Sequence, residues 1–260
     1  MAIALDGSNY LAGPVIGMGG WTDLSLGAWV YTDLSGADEH SVWNNGAGST
    51  YAHAIIRIEP ANGNVECFLG FDGDETQLVL NDNPVQANTW THIVLTYDGV
   101  MRGYVNGVME TTTVDKSGEA LDPDDTTRPM QLGRDERDRD YLTGMIADAF
   151  LFDRALSQTE ISAIYNLGRV PWWLVGDPNC LLYWPLIGPS GAVVNATDWG
   201  CRDLSGNGNH VSSVNSAPTW ADDPLAPQAW TEGLFGGAWA VAAANVIPAM
   251  DYYYRRRRTA

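Results

Sequence analysis

Residues 88–107 read NTWTHIVLTYDGVMRGYVNG. Within this stretch Trp90–Asp98 is rich in β-branched and aromatic residues and has the pattern of a half-buried strand. Asp98-Gly99 and Asn106-Gly107 follow, supplying the positive-φ residues that tight hairpin turns require. Runs of the same kind extend both ways. Before it come Leu26–Thr32, His40–Asn44, Ala52–Glu59, Asn64–Gly70 and Thr76–Leu80; after it come Val108–Val114, Met130–Gly133 and Leu142–Asp153. Many short strands separated by turn chemistry predict an all-β sandwich. One helix interrupts them. Ser157-Gln-Thr-Glu160 is a capping box, Ile161, Ile164 and Tyr165 fall on one face, and Gly168 fits the terminator.

The chain has 260 residues, 45% of them hydrophobic, enough for a sizeable core. Lys and Arg number 14 against 32 Asp and Glu, a net charge of −18. Four of the basic residues are Arg255–Arg258; without them ten face 32, and the body stands at −22. Such a surface repels phosphate backbones and anionic membranes, so nucleic acid and lipid are poor partners. No apolar run reaches the roughly 18–20 residues of a membrane helix. The opening MAIALDGSNYLAGP lacks the basic and apolar regions of a secretory signal. Three cysteines, Cys67, Cys180 and Cys201, argue against a disulfide framework and for synthesis in a reducing cytoplasm.

Composition shifts after Gly168. Residues 170–260 hold seven of the 11 tryptophans, with Cys180–Leu186 and Asn209–Val214 as the strand candidates there. No repeat of solenoid or propeller period is present.

Several segments together resemble the laminin-G-like, concanavalin-A-like jelly-roll family: ALDGSNYLAGP (4–14), LSLGAWVYT (24–32), residues 88–107, MQLGRD (130–135) and LTGMIADAFLFDRALSQTEISAIYN (142–166). The resemblance runs from residue 4 to about 167 and implies two packed antiparallel sheets with one short helix. It sets out residues 1–168 as the jelly roll, 169–237 as a Trp-rich extension and 238–260 as a tail. LLYWPL (181–186) with DLSGNGNHV (203–211) looks like the family element that normally precedes the first strand, here placed last. A permuted strand returning to the sandwich is expected rather than a second, truncated jelly roll. That order, together with the terminal DYYYRRRR, resembles structural proteins of tailed bacteriophages.

Catalysis finds no support in the motifs. The family's hydrolases use a carboxylate pair on alternating strand positions, in an E-x-D-x-x-E signature that is absent here. The acidic clusters at 72–75, 122–125 and 134–140 read as solvated loops, the last with locally paired charges. The four His are scattered. The resemblance makes calcium the candidate ion, with Asp6 and Asp148 as ligands if the first and penultimate strands bring them together. Trp43 is the candidate glycan platform. Trp172 and Trp173 suit a protein interface. Tyr252, Tyr253 and Tyr254 with Arg255, Arg256, Arg257 and Arg258 suit an anchor on a neighbouring subunit's carboxylates. The expectation is a non-enzymatic, multicopy or homo-oligomeric bacteriophage virion protein, made in the host cytoplasm and contacting other virion proteins, with weak binding of host-surface glycans. The alternative is a carbohydrate-binding module or adhesin acting outside a virion.

Overall fold

The computed structural model describes residues 2–46, 52–122, 129–135 and 139–221. In chain order its strands begin with β1 (Ala2–Asp6), β2 (Tyr10–Val15), β3 (Leu24–Thr32), β4 (His40–Gly46), β5 (Ala52–Ile58), β6 (Val65–Phe71) and β7 (Asp74–Leu80). Next come β8 (Thr91–Tyr97), β9 (Val100–Val105), β10 (Val108–Asp115), β11 (Pro129–Leu132) and β12 (Thr143–Phe152). Helix α1 (Gln158–Leu167) and the single turn α2 (Trp172–Val175) follow, then β13 (Cys180–Trp184), β14 (Ser213–Asn215) and β15 (Thr219–Ala221). One antiparallel sheet runs β10-β9-β8-β3-β12-β1-β15, with β13 also paired to β12; the other runs β14-β2-β11-β4-β5-β6-β7. The two pack face to face as a sandwich.

The hairpins of the 88–107 stretch use two different turns. Asn106 and Gly107, at φ 51° and 77°, join Val105 to its partner Val108 as a two-residue loop. Between Tyr97 and its partner Met101 the loop has three residues, with Gly99 at φ 89°. The half-buried pattern expected for β8 is not what is found: all seven of its residues are buried. Ile93, Leu95 and Tyr97 face the core between the sheets. On the outer side Val94 joins Tyr104, Phe150 and Phe152 beneath Ile161 and Ile164 of α1 and Leu174 and Val175 of α2. The helices therefore cover a face that an isolated sandwich would leave wet.

The capping box holds α1 as the sequence indicates. Glu160 N–H donates to Ser157 Oγ at 3.3 Å, and Ser157 N–H donates to Glu160 Oε2 at 2.7 Å. Gly168 ends the helix at φ 65°. Arg154 adds a clamp, donating to Glu160 at 2.6 Å and to Asp177 at 2.7 Å, so the start of α1 is tied to the segment leaving α2. These contacts give the Asp-Arg-Ala-Leu-Ser segment (153–157) a structural job.

The chain beyond α1 returns to both sheets. β13 pairs with β12, β14 with β2 and β15 with β1. Trp184, at the end of β13, lies fully buried and stacks on Trp43 of β4, ring centroids 6.0 Å apart and planes 12° apart. Its Nε1–H donates to the Asn209 carbonyl at 2.7 Å. Gly13 accommodates the ring, because a Cβ there would sit 2.4 Å from it. The open edge of β13 is closed by side chains of the following loop. Asp203 accepts Tyr183 N–H at 3.0 Å, and the Asn207 and Asn209 amides donate to the Cys180 and Leu181 carbonyls, both at 2.8 Å. The DLSGNGNH segment (203–210) thus replaces a neighbouring strand. All three cysteines are free and buried.

Truncating Trp184 to Ala is expected to cost about 3–5 kcal/mol in urea unfolding, as for other buried Trp. A cost below about 1 kcal/mol would mean that β13 is peripheral.

Candidate functional site

The exposed face of the seven-stranded sheet carries the site, and a bulge in β4 creates it. The register of β4 on β5 shifts between Ser41 and Trp43, so Trp43 pairs with Ile56 and Asn44 with Ile55, while Ser41 pairs with Arg57. Trp43 and Ile56 point into the core. Their neighbours Ser41, Asn44, Ile55 and Arg57 point the other way, beside Phe68 of β6 and Glu75 of β7. The loop between β11 and β12 supplies the opposite wall. It closes through Asp135 N–H donating to the Arg139 carbonyl at 3.0 Å and Leu142 N–H donating to Gly133 at 2.9 Å. Ser41 N–H donates to the Asp140 carbonyl at 2.9 Å, fixing the loop against β4. The result is an open cleft of about 160 Å³ lined by Ser41, Asn44, Ile55, Arg57, Phe68, Glu75, Asp135, Arg139 and Asp140. That is well below the ~300 Å³ at which drug-sized sites begin, and suits one small ring or the end of a chain.

Its floor is apolar and its walls are charged. Phe68 and Ile55 form the floor, with the Arg57 guanidinium 4.6 Å from the Phe68 ring centre. Arg57 is already engaged, at 2.7 Å from Glu66 and 3.5 Å from Glu39. Arg139 is engaged too: its Nε lies 2.9 Å from Asp135 and its backbone N–H donates to the same carboxylate at 3.0 Å. Asp140 differs. Its residue is 6% exposed, and its nearest cationic atom among the described residues is Arg139 Nε at 3.9 Å. Burial, then the neighbouring carboxylates of Asp135 and Glu39, raise the Asp140 carboxyl to about 6. Ser41 Oγ, in a residue 1% exposed, has no hydrogen-bond partner. A buried hydroxyl and a buried carboxylate thus face the same cleft with hydrogen-bonding capacity unspent.

The residues singled out from sequence lie elsewhere. Trp43 is a correction: it is fully buried, its Nε1–H donates to the Gly27 carbonyl at 3.0 Å, and it serves packing rather than a sugar platform. The calcium pair is a second correction. Asp6 is exposed and closes an Asx turn by accepting Ser8 N–H at 3.0 Å and Ser8 Oγ–H at 2.8 Å. It pairs across from Thr143, five positions from Asp148, roughly 16 Å at the ~3.3 Å rise of a strand. The two cannot share an ion, and among the described residues no group of three His, Cys, Asp or Glu could hold a metal. Asp148 instead occupies the bulge in β12, at φ 49°, where the edge partner changes from β1 to β13. Tyr183 donates its hydroxyl to this carboxylate, and Asp148 N–H donates to the Pro185 carbonyl at 3.3 Å. Trp172 and Trp173 are 71% and 44% exposed, whereas Trp184 and Trp220 are buried. Tyr252–Tyr254 and Arg255–Arg258 lie outside the described residues. His92 is buried with neither ring nitrogen hydrogen-bonded, and burial lowers it to about 3, so it stays neutral. No helix among the described residues is long and apolar enough to cross a membrane.

The cleft residues had one sequence signal. In AHAIIRIE the outward positions carry Ile55 and Arg57, and in VECFLGF they carry Glu66 and Phe68, an apolar pair beside an ion pair on a face expected to be simply polar.

A two-sheet sandwich with a polar-walled cleft on its smaller sheet is a lectin-type architecture. Residues 5–162, over half of the chain, match the family described as the Concanavalin A-like lectin/glucanases superfamily (Laminin_G_3), and the chain belongs to that family. Among curated protein sequences none matches. Among solved structures, one similar chain is a protein of Bacteroides ovatus ATCC 8483 provisionally named carbohydrate binding: TM-score 0.60, 19% identity, covering 86% of this chain and 61% of that one. The chain therefore spans under two thirds of that protein's length. Another is the heptameric SAP-like pentraxin of Limulus polyphemus: TM-score 0.50, 13% identity, covering 65% of this chain and 83% of that one. At these identities the likeness is one of fold.

Burial raises the Asp148 carboxyl to about 7, against the hydrogen bond from Tyr183 and the charge of Arg169. Because the folded value lies above the usual 3.8, this group's contribution is fully present in acid and is lost as pH rises through about 7. Asp148→Asn, which keeps an acceptor for Tyr183, is therefore expected to gain about 2–4 kcal/mol on the wild type between pH 4 and pH 8.5. A variant-minus-wild-type difference that is constant with pH in denaturant titrations would contradict this.

Proposed function

We propose that this chain is a non-catalytic carbohydrate-binding module whose saccharide site is the cleft on the seven-stranded sheet. The observation that carries the reading is the apolar floor of Phe68 and Ile55 beside Ser41 Oγ, buried without a hydrogen-bond partner, and the Asp140 carboxylate, 3.9 Å from Arg139 Nε. Saccharides need that combination: their C–H faces pack on apolar surface while hydroxyls are fixed by a few placed polar groups. Most of the site stands on strands, and Asp135, Arg139 and Asp140 are held by hydrogen bonds to one another and to Ser41. Family membership and the Bacteroides likeness support a lectin-type role. The reading leaves catalysis out, because the E-x-D-x-x-E signature is absent and, among the described residues, Asp135 is tied to Arg139.

A glycan array is expected to give binding to a restricted set of saccharides, lost at least tenfold in Phe68→Ala, with no release of reducing ends on prolonged incubation. An array without binding would sink the site; release of reducing ends would sink the non-catalytic reading.

The exposed Trp172 and Trp173 favour a second reading that keeps the same site: a multicopy structural module of a bacteriophage particle, with these side chains buried against a neighbouring copy. Sedimentation velocity is then expected to show an oligomer that Trp172→Ser with Trp173→Ser converts to monomer. A monomeric wild-type chain at micromolar concentration would contradict it.

A further inference from the structure

We infer that the saccharide taken by the cleft carries a free, protonated amino group, held by the Asp140 carboxylate with a neighbouring hydroxyl on Ser41 Oγ. The inference rests on the saccharide reading above and adds the chemical class of the ligand. Three observations lead to it.

The first is which charges are already matched. Arg57 lies between Glu66 at 2.7 Å and Glu39 at 3.5 Å, with its planar face on Phe68. Arg139 holds Asp135 through both its side chain and its backbone. Arg57 offers no open fork to an anionic sugar, since it would have to leave a carboxylate to bind one. The second is the balance: among the described residues that line the cleft, two arginines, 57 and 139, face three carboxylates, Glu75, Asp135 and Asp140, while Glu39 and Glu66 stand behind Arg57, and Arg134 stands beside Asp135. In a chain of net charge −18 this field attracts a cation and opposes a uronic or sialic acid.

The third is the state of Asp140 and Ser41. The Asp140 carboxylate is held in a residue 94% buried, with its nearest cationic atom among the described residues 3.9 Å away. A carboxylate in so buried a residue is costly to keep charged, and an ammonium, with three N–H donors and a full charge, is the partner that offsets the cost most fully. Ser41 Oγ, equally buried and unpartnered, lines the same cleft and can donate to or accept from a ring hydroxyl. Burial and the Asp135 and Glu39 carboxylates, which raise Asp140, are the influences that a bound ammonium would reverse.

The test compares three β-1,4-linked tetramers by calorimetry at pH 7 in low salt: glucosamine, N-acetylglucosamine and glucose. The glucosamine tetramer is expected to bind at least tenfold more tightly than its N-acetylated form. Asp140→Asn should remove that preference while retaining whatever affinity the neutral tetramers show. Asn tolerates the left-handed backbone found at residue 140, φ 52°, so this variant keeps the loop. Asp98→Asn, in the β8–β9 turn of the other sheet, controls for general attraction to an acidic chain and should leave the preference intact. Equal affinities for the amino and acetylated tetramers, with neutral sugars bound, would overturn this inference and leave the saccharide site standing. A preference that survives Asp140→Asn would overturn the placement at Asp140. Binding of none of the three, or of any other saccharide, would overturn the site itself.

Discussion

The stack of Trp43 on Trp184 is the contact on which the rest of the molecule depends. It joins β4 of one sheet to β13, a strand that pairs with the other sheet and comes from the chain beyond the helix. With Trp43 fixed inward, the bulge at residues 41–43 turns Ser41 and Asn44 outward, and the cleft follows from their direction. The core contact and the site are thus two sides of one strand. Gly13 belongs to the same arrangement, because any larger residue would press on the Trp184 ring.

Much of the sandwich was legible in local chemistry. Asn106-Gly107 forms a two-residue hairpin, Ser157 and Glu160 cap the helix, and Gly168 ends it, since each rests on interactions within a few residues. What escaped depends on residues far apart. β8 looked half-buried because its outer cover, α1 and α2, arrives from residues 158–175. Trp43 looked like an exposed platform because a single bulged residue decides which face of β4 it occupies. Asp6 and Asp148 looked able to meet because their strands are neighbours, but register places them at different heights.

The cleft was hidden for a related reason. The alternating charges of residues 134–140 suggested a solvated loop, and part of that reading survives in the Arg139–Asp135 pair. Asp140 differs only because a backbone hydrogen bond from Ser41 draws it against the sheet, where burial and like charge act on it. Sequence shows that a carboxylate is present; only the closed loop shows that it is desolvated. The Trp-rich region divides along similar lines. Trp184 and Trp220 fill the core, while Trp172 and Trp173 stand in the open on α2, a distinction set by the path of the returning chain.

The central claim is that the outer face of the seven-stranded sheet is where a saccharide sits. Amide chemical-shift mapping of the ¹⁵N-labelled chain, titrated with its tightest-binding saccharide, tests this most directly. Shifts concentrated at Ser41, Asn44, Arg57, Phe68, Asp135 and Asp140 are the result expected. Shifts confined to another surface, such as the turn carrying Trp172 and Trp173, with those amides unmoved, would contradict it.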